Sequence, residues 1–162
     1  MTKYPGFAIL PFMKAVLQRV KSARVEIEGR VKSEIGQGLL ILLGIIPEDT
    51  IDDIQWLVKK ICQLRVFNDE AGVMNLSIQD VGGNALLVSQ FTLHASIKKG
   101  NRPYYGNSAP PDIAIPLYEQ FHQELESQLG KKVPTGEFGA DMDVSLTNWG
   151  PVTIMMDSKN IV

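Results

Sequence analysis

Apolar and polar residues alternate from Lys14 to Val20 and again from Ala23 to Glu28, where Val25 and Ile27 are set against Arg24, Glu26 and Glu28. A period of two sends successive side chains to opposite faces, so both runs are expected as half-buried strands, with Glu28-Gly29-Arg30 as the turn that follows. Gly38 to Ile46 (GLLILLGII) is apolar on both faces and too short for an ordinary helix, which predicts a central strand covered on both sides. At Thr50 the period changes: Ile51, Ile54, Leu57, Val58, Ile61 and Leu64 recur at helical spacing, and Thr50 with Asp53 resembles a capping box. Glu70-Ala71-Gly72 marks a turn inside Phe67 to Asn75, and Gly82-Gly83 precedes a second buried run, Asn84 to Leu93. Lys98 to Pro110 (KKGNRPYYGNSAP) reads as a loop. A second helix is expected from Pro111, with Leu117, Phe121, Leu125 and Leu129 on one face and Gly130 at its end. Pro116, one turn in, predicts a kink or a later helix start. Asp141 to Leu146 alternates, Val152 to Met156 is apolar, and Asn148-Trp149-Gly150-Pro151 is expected as the turn between these two strands.

Strands in hairpin-like succession with two main helices indicate a single α/β domain, layered, with mixed and largely antiparallel strands. The length of 162 residues is one domain, and 44% hydrophobic with 21% charged residues is an ordinary globular balance. The first twelve residues, MTKYPGFAILPF, carry one lysine and a short apolar patch broken by Pro5 and Pro11, and have neither the h-region nor the cleavage site of a signal peptide. They are expected to be an extension outside the fold, the domain occupying residues 13–162. No apolar run approaches the roughly 20 residues that span a bilayer. The lone cysteine, Cys62, lies on the apolar side of the first helix and fits a reducing cytosol. A net charge of −2 speaks against a general DNA or RNA binder, so any nucleic-acid contact must come from a local patch.

Phosphate loops, dinucleotide fingerprints, paired-cysteine and zinc-hydrolase motifs and the serine-hydrolase elbow are absent from the sequence, and neither a metal nor a cofactor is expected. His94 and His122 are far apart, with His122 on the polar side of its helix. The unusual feature is the polar run at the end of the second buried strand, Ser89-Gln90-Phe91-Thr92-Leu93-His94. Alternation would put Gln90, Thr92 and His94 on one face. Either the strand turns polar as it reaches the surface, or Thr92 is a nucleophile or positioning hydroxyl with His94 a conceivable base.

SQFTL at Ser89 to Leu93, followed by NWGPVT at Asn148 to Thr153, resembles the paired signature of the D-aminoacyl-tRNA deacylase family. MKAVLQRV, GLLILLG, MNLS, GNRPYY and GEFGADM fall in register around them, so the resemblance covers the chain from Met13 onward. Pro110 and Pro116 depart from the family's usual helix residues, which touches the local helix geometry and neither motif. The resemblance implies an α/β/β layered homodimer with active sites at the subunit interface. The implied reaction is hydrolysis of the ester of D-aminoacyl-tRNA, and of glycyl-tRNA mischarged on tRNA(Ala). Position by position, it implies that the backbone around Ser89, Gln90 and Phe91 binds the reacting carbonyl and the adenosine end, with Thr92 nearest the chemistry. Ala109, Phe138 and Met142 would line the pocket for the terminal adenosine, and Gly150 with Pro151 would form a Gly-cisPro element that excludes L-amino acids. Lys98, Lys99 and Arg102, near Tyr104 and Tyr105, are the candidate tRNA contacts. Two rivals stand beside this reading: a small-molecule D-amino-acid esterase that does without RNA, and a dimeric binding module in which both motifs are packing elements.

Overall fold

The computed structural model describes residues 12–159, so the expectation for the first twelve residues falls, Phe12 apart, outside the described range. β1 (Lys14–Ile27) is one continuous strand, and the irregularity between Val20 and Ala23 is a shift of register, not an end. β2 (Arg30–Ile35) returns antiparallel along the second half of β1, and β3 (Gly38–Gly44) along its first half. α1 (Ile51–Gln63) follows, its first turn fixed by the Asp53 carboxylate, which accepts the Thr50 N–H at 2.8 Å as the capping-box pattern predicts. A short hairpin, β4 (Phe67–Asn68) and β5 (Met74–Leu76), leads to β6 (Asn84–Ser89), which adds parallel to β3.

α2 (Pro111–Leu129) runs through Pro116 to a left-handed Gly130. Its start is not delayed. The Pro110 carbonyl accepts the N–H groups of Ile113 and Ala114, so the first turn is secured before Pro116 withholds its bond. β7 (Asp143–Asp157) pairs antiparallel with the whole of β1 on the side opposite β2 and β3. The two strands expected there are one, and NWGP is not a turn.

The strand order β7, β1, β3, β6 explains the apolar runs. Leu39, Ile41 and Leu43 of β3 face the helices with Ala15 and Leu17, and meet Ile54, Leu57, Val58 and Ile61 of α1 and Phe121 and Leu125 of α2. Leu40 and, with it, Leu86 and Val88 of β6 face the other way, onto Val20, Ala23, Val25 and Ile35, where the far half of β1 and β2 curls across the sheet. Helices, sheet and folded-over strands are the three layers. Each fully buried Leu or Ile contributes about 1.5–3 kcal/mol, so the two faces of β3 alone hold much of the domain together.

Candidate active site

The strand predicted from Asn84 to Leu93 stops at Ser89. Its neighbour β3 ends at Gly44, and the Gln90 N–H closes the ladder on the Leu43 carbonyl at 2.7 Å. The chain then coils into a 3-10 turn, Phe91–His94, tied by Leu93 N–H to Gln90 O at 3.2 Å and Ala95 N–H to Thr92 O at 3.1 Å. Alternation therefore fails beyond Ser89. Gln90 and Thr92 do meet, the Gln90 amide donating to the Thr92 hydroxyl. His94 goes the other way: it is 4% exposed, and its ring lies so near Gly44 that a Cβ there would sit 3.0 Å from the imidazole Cδ2. Neither ring nitrogen makes a hydrogen bond of normal geometry among the described residues, although the ring lies against the Gly44 backbone. Burial, opposed by the Gly44 backbone and the charge of Asp157 and aided by the charge of Lys14, lowers the His94 pKa. His94 is no base for Thr92.

A loop leans on this turn. Ser108 donates from its hydroxyl to the Phe91 carbonyl at 2.8 Å, and Tyr105 meets the exposed Phe91 ring edge to face at 5.1 Å. Ala109, buried, hangs from the Ile45 carbonyl by its N–H at 2.9 Å. On the far side of β6, the Leu87 carbonyl takes the Tyr118 hydroxyl at 3.1 Å and the Gly136 N–H at 3.0 Å, which fixes the segment before Phe138. Phe138 packs edge-on against Tyr118 at 6.1 Å, and Met142 closes over Gly136 and the apolar cluster of Leu86 and Val88. Ala109 and Phe138 belong to the helix-side cluster and Met142 to the cluster on the other face of the sheet, so the three are not brought into one contact within the chain. Lys98, Lys99 and Arg102 line an exposed cleft of about 720 Å³ with Ser96, Pro103, Tyr104 and Asn107.

The second motif is a bulge inside β7. Thr153 stands opposite Gln18 and Asn148 opposite Val20, which leaves Trp149 to Val152 facing Arg19 alone. The ends of the bulge are tied together: the Asn148 amide donates to the Thr153 hydroxyl at 3.1 Å, and its oxygen accepts the Val152 N–H at 2.9 Å. Asn and Thr stand at the two ends of NWGPVT for that reason. The Gly150–Pro151 peptide bond is cis, and both residues are exposed.

Arg19 carries the bulge from below, and the sequence reading missed it. It is 4% exposed and donates to the Trp149 carbonyl at 2.8 Å, the Val66 carbonyl at 2.7 Å and the Asn68 side chain at 3.1 Å, with its guanidinium 4.3 Å from the Trp149 ring centre. A side chain on Gly150 would place its Cβ 2.9 Å from Arg19 Nη2, in a backbone at φ 133°. The available signal was an arginine at an inward position of an alternating strand.

Within the chain the two motifs stay apart. β7 and β6 are separated by β1 and β3, roughly 14 Å at normal strand spacing. Cys62 is an inert buried thiol, pushed up to about 11 by burial and by the charge of Glu124. His122 is less solvated than expected, since Nε2 lies 2.7 Å from the Val133 carbonyl and braces the segment after α2. Among the described residues there is no cluster of His, Cys, Asp and Glu suited to a metal ion, and no helix long and apolar enough to cross a membrane.

Known proteins are similar to this chain in sequence and fold. The family described as D-Tyr-tRNA(Tyr) deacylase matches residues 16–157. The D-aminoacyl-tRNA deacylases of Chromobacterium violaceum and Phocaeicola vulgatus are 60% and 63% identical over 148 residues, 91% of this chain and 99% of each relative. A solved structure titled c-Myc DNA Unwinding Element Binding Protein superimposes with a TM-score of 0.85 at 41% identity, covering 89% of this chain and 97% of that one. A probable eukaryotic D-amino acid tRNA deacylase shares the fold, with a TM-score of 0.78 at 16% identity over 90% of this chain and 98% of its own. With the family matched across nearly the whole described domain and both of its motifs built into defined structure, this chain belongs to the D-Tyr-tRNA(Tyr) deacylase family.

Proposed function

We propose that this protein is a D-aminoacyl-tRNA deacylase that works as a homodimer, each active site joining the Ser89–Thr92 turn of one subunit to the Gly150–Pro151 bulge of its partner. The carrying observation is their separation: two family motifs lie on opposite sides of one sheet, and the bulge is exposed at its crest. An interface between copies brings them together.

In the reaction, water, oriented by the vicinal ribose hydroxyl, attacks the ester carbonyl; the C–O bond to the ribose then breaks, the ribose oxygen takes up a proton, and a D-amino acid and free tRNA are released. The backbone N–H groups at Phe91 and Thr92 begin a 3-10 turn and have no carbonyl within it to bind, which suits them to the oxyanion. Thr92 positions the substrate, since its hydroxyl is engaged by Gln90 and no base lies beside it. Side-chain volume cannot separate mirror images. The site must fix the amine and carbonyl and obstruct the direction an L side chain takes, a task assigned to Gly150 and Pro151. Glycine escapes such a screen, so glycyl-tRNA(Ala) is a substrate too.

The cleft at Lys98, Lys99 and Arg102 supports RNA as the carrier. No acid occurs from Leu93 to Pro111, although the chain as a whole is at −2, and Tyr104, Tyr105 and Phe91 lie exposed beside the cations. Ala109, Phe138 and Met142 then take the terminal adenosine. Turnover assays with D-Tyr-tRNA, L-Tyr-tRNA, glycyl-tRNA(Ala) and D-Tyr methyl ester test this reading, with a single-stranded DNA binding arm beside them. Cleavage of the D-Tyr and glycyl esters of tRNA alone is expected. Turnover of the methyl ester alone would make the protein a small-molecule esterase, and no turnover a binding module.

A further inference from the structure

Behind the pocket, the backbone nitrogen of Met13 donates to Asp49 Oδ1 at 2.9 Å, and the Met13 side chain is fully buried. The second oxygen of Asp49 accepts the Ile46 N–H at 2.8 Å. Asp53, one helical turn on, accepts the Ser158 hydroxyl at 2.7 Å and the Thr50 N–H. Both carboxylates are buried, at 7% and 3% exposure, and the described cation nearest them is Lys159, 4.0 Å from Asp53 and half-exposed. The two buried anions therefore have one half-solvated cation between them, and Met13 supplies a single peptide N–H, to Asp49. Burial, opposed by the bonds from Ile46 and Met13 and aided by the charge of Asp53, raises the Asp49 carboxyl to about 6. Asp53 is also pushed up by burial, but its bonds from Ser158 and Thr50, with Lys159, bring it below its ordinary value.

We propose that Asp49 and Asp53 form the seat of a protonated chain-terminal amine on Met13, so that the functional chain is the one initiated at Met13. The nitrogen is already in place. A peptide nitrogen offers it one N–H and no charge, whereas an ammonium offers three N–H groups and the missing positive charge, and buried carboxylates are stabilised when paired and fully hydrogen-bonded. The preceding residue lies outside both core clusters: Phe12 is half-buried against Lys159, 4.5 Å from ring centre to Nζ, beside Pro47, Glu48 and Asn107. The matched relatives are spanned almost whole while part of this chain stays unmatched. The seat bears on the pocket as well, because Asp49 holds the N–H of Ile46 while the neighbouring Ile45 carbonyl holds Ala109.

Three proteins test this: the full chain, residues 13–162 with a free amine, and residues 13–162 acetylated at that amine. At pH 7 the free-amine form should melt on the order of 5 °C above the other two, and Asp49→Asn should erase the difference. The sign with pH follows from Asp49. Its folded pKa of about 6 in the full chain lies above the ordinary 3.8, so stability present below pH 4 is lost as pH rises through 6. The free amine removes that loss, and the gap between forms should open across this window and be absent below it. In cells carrying the natural gene, intact mass should show a chain beginning at Met13, and Met13→Leu, which keeps the apolar side chain, should abolish that product. Equal melting of free and acetylated forms, a free-amine form that fails to fold, a cellular protein present only at full length, or a short product that survives Met13→Leu would each overturn the proposal.

Discussion

The polar interruptions of β6 and β7 look alike in sequence and are built by opposite means. At Ser89–Thr92 the strand runs out of partner, the backbone coils, and the turn is braced by main-chain bonds to β3 and by the 105–109 loop. At Trp149–Val152 the strand keeps its partner on both sides of the motif and throws out a bulge, braced by a buried arginine and by Asn148. The first presents side chains and free N–H groups on a short turn, while the second presents backbone on a long strand. Substitutions should therefore act through local chemistry in the one and through shape in the other.

The largest effect is expected at the crest of the bulge. Gly150→Ala puts a Cβ 2.8 Å from Val152 Cγ2 and 2.9 Å from Arg19 Nη2, at a φ of 133° that L residues rarely adopt. Deacylation of D-Tyr-tRNA should fall at least about 100-fold, near 3 kcal/mol of barrier, while Tm falls only modestly. Near-normal kcat/KM would remove the bulge from the site. Arg19→Lys comes next. One ammonium cannot serve the Trp149 and Val66 carbonyls together, and the loss should be about 2 kcal/mol of stability by denaturant titration. A fall in D-over-L discrimination should accompany it.

The turn should be more forgiving. Thr92→Ala is expected to lower kcat about tenfold, or 1.4 kcal/mol, and to leave a measurable rate. Trapping an acyl group on Thr92 would instead make it the nucleophile. Smallest of all is His94→Leu, with activity within about threefold because no reacting group faces the ring. Its signature lies in pH. The folded pKa of His94 is below the ordinary 6.5, so the full stability is present above 6.5 and is lost as pH falls from there through the lowered folded value. The leucine variant should show a flatter acid limb in a melting series, and an unchanged slope would assign that limb to other groups.

How far the sequence spoke depended on which interactions carry each element. Strands, helices and the two-faced β3 were legible because burial follows period, and Thr50–Asp53 gave the start of α1. Val20 to Ala23 and NWGP were misread as breaks, because a bulge and a turn share the same local residues and only the partner strand decides between them. The face of His94 was misread for the complementary reason, since the end of β3 at Gly44 lies far away in sequence. Gln90 meeting Thr92 was anticipated from alternation, yet it arises from a coiled turn. Arg19 went unnoticed because its partners, at Val66, Asn68 and Trp149, are distant along the chain.

The long antiparallel match of β1 with β7 also sets an order of events. It joins the first strand to the last, and Arg19 reaches Trp149 across 130 residues. Such a contact waits until nearly the whole chain has been synthesised, and loop closure at that separation slows it further. The helices and β3 can collapse around their own core well before then. The bulge with its Gly150–Pro151 crest is consequently the last part to take shape, so a nascent or C-terminally shortened chain would carry the Thr92 turn without the element proposed to judge handedness.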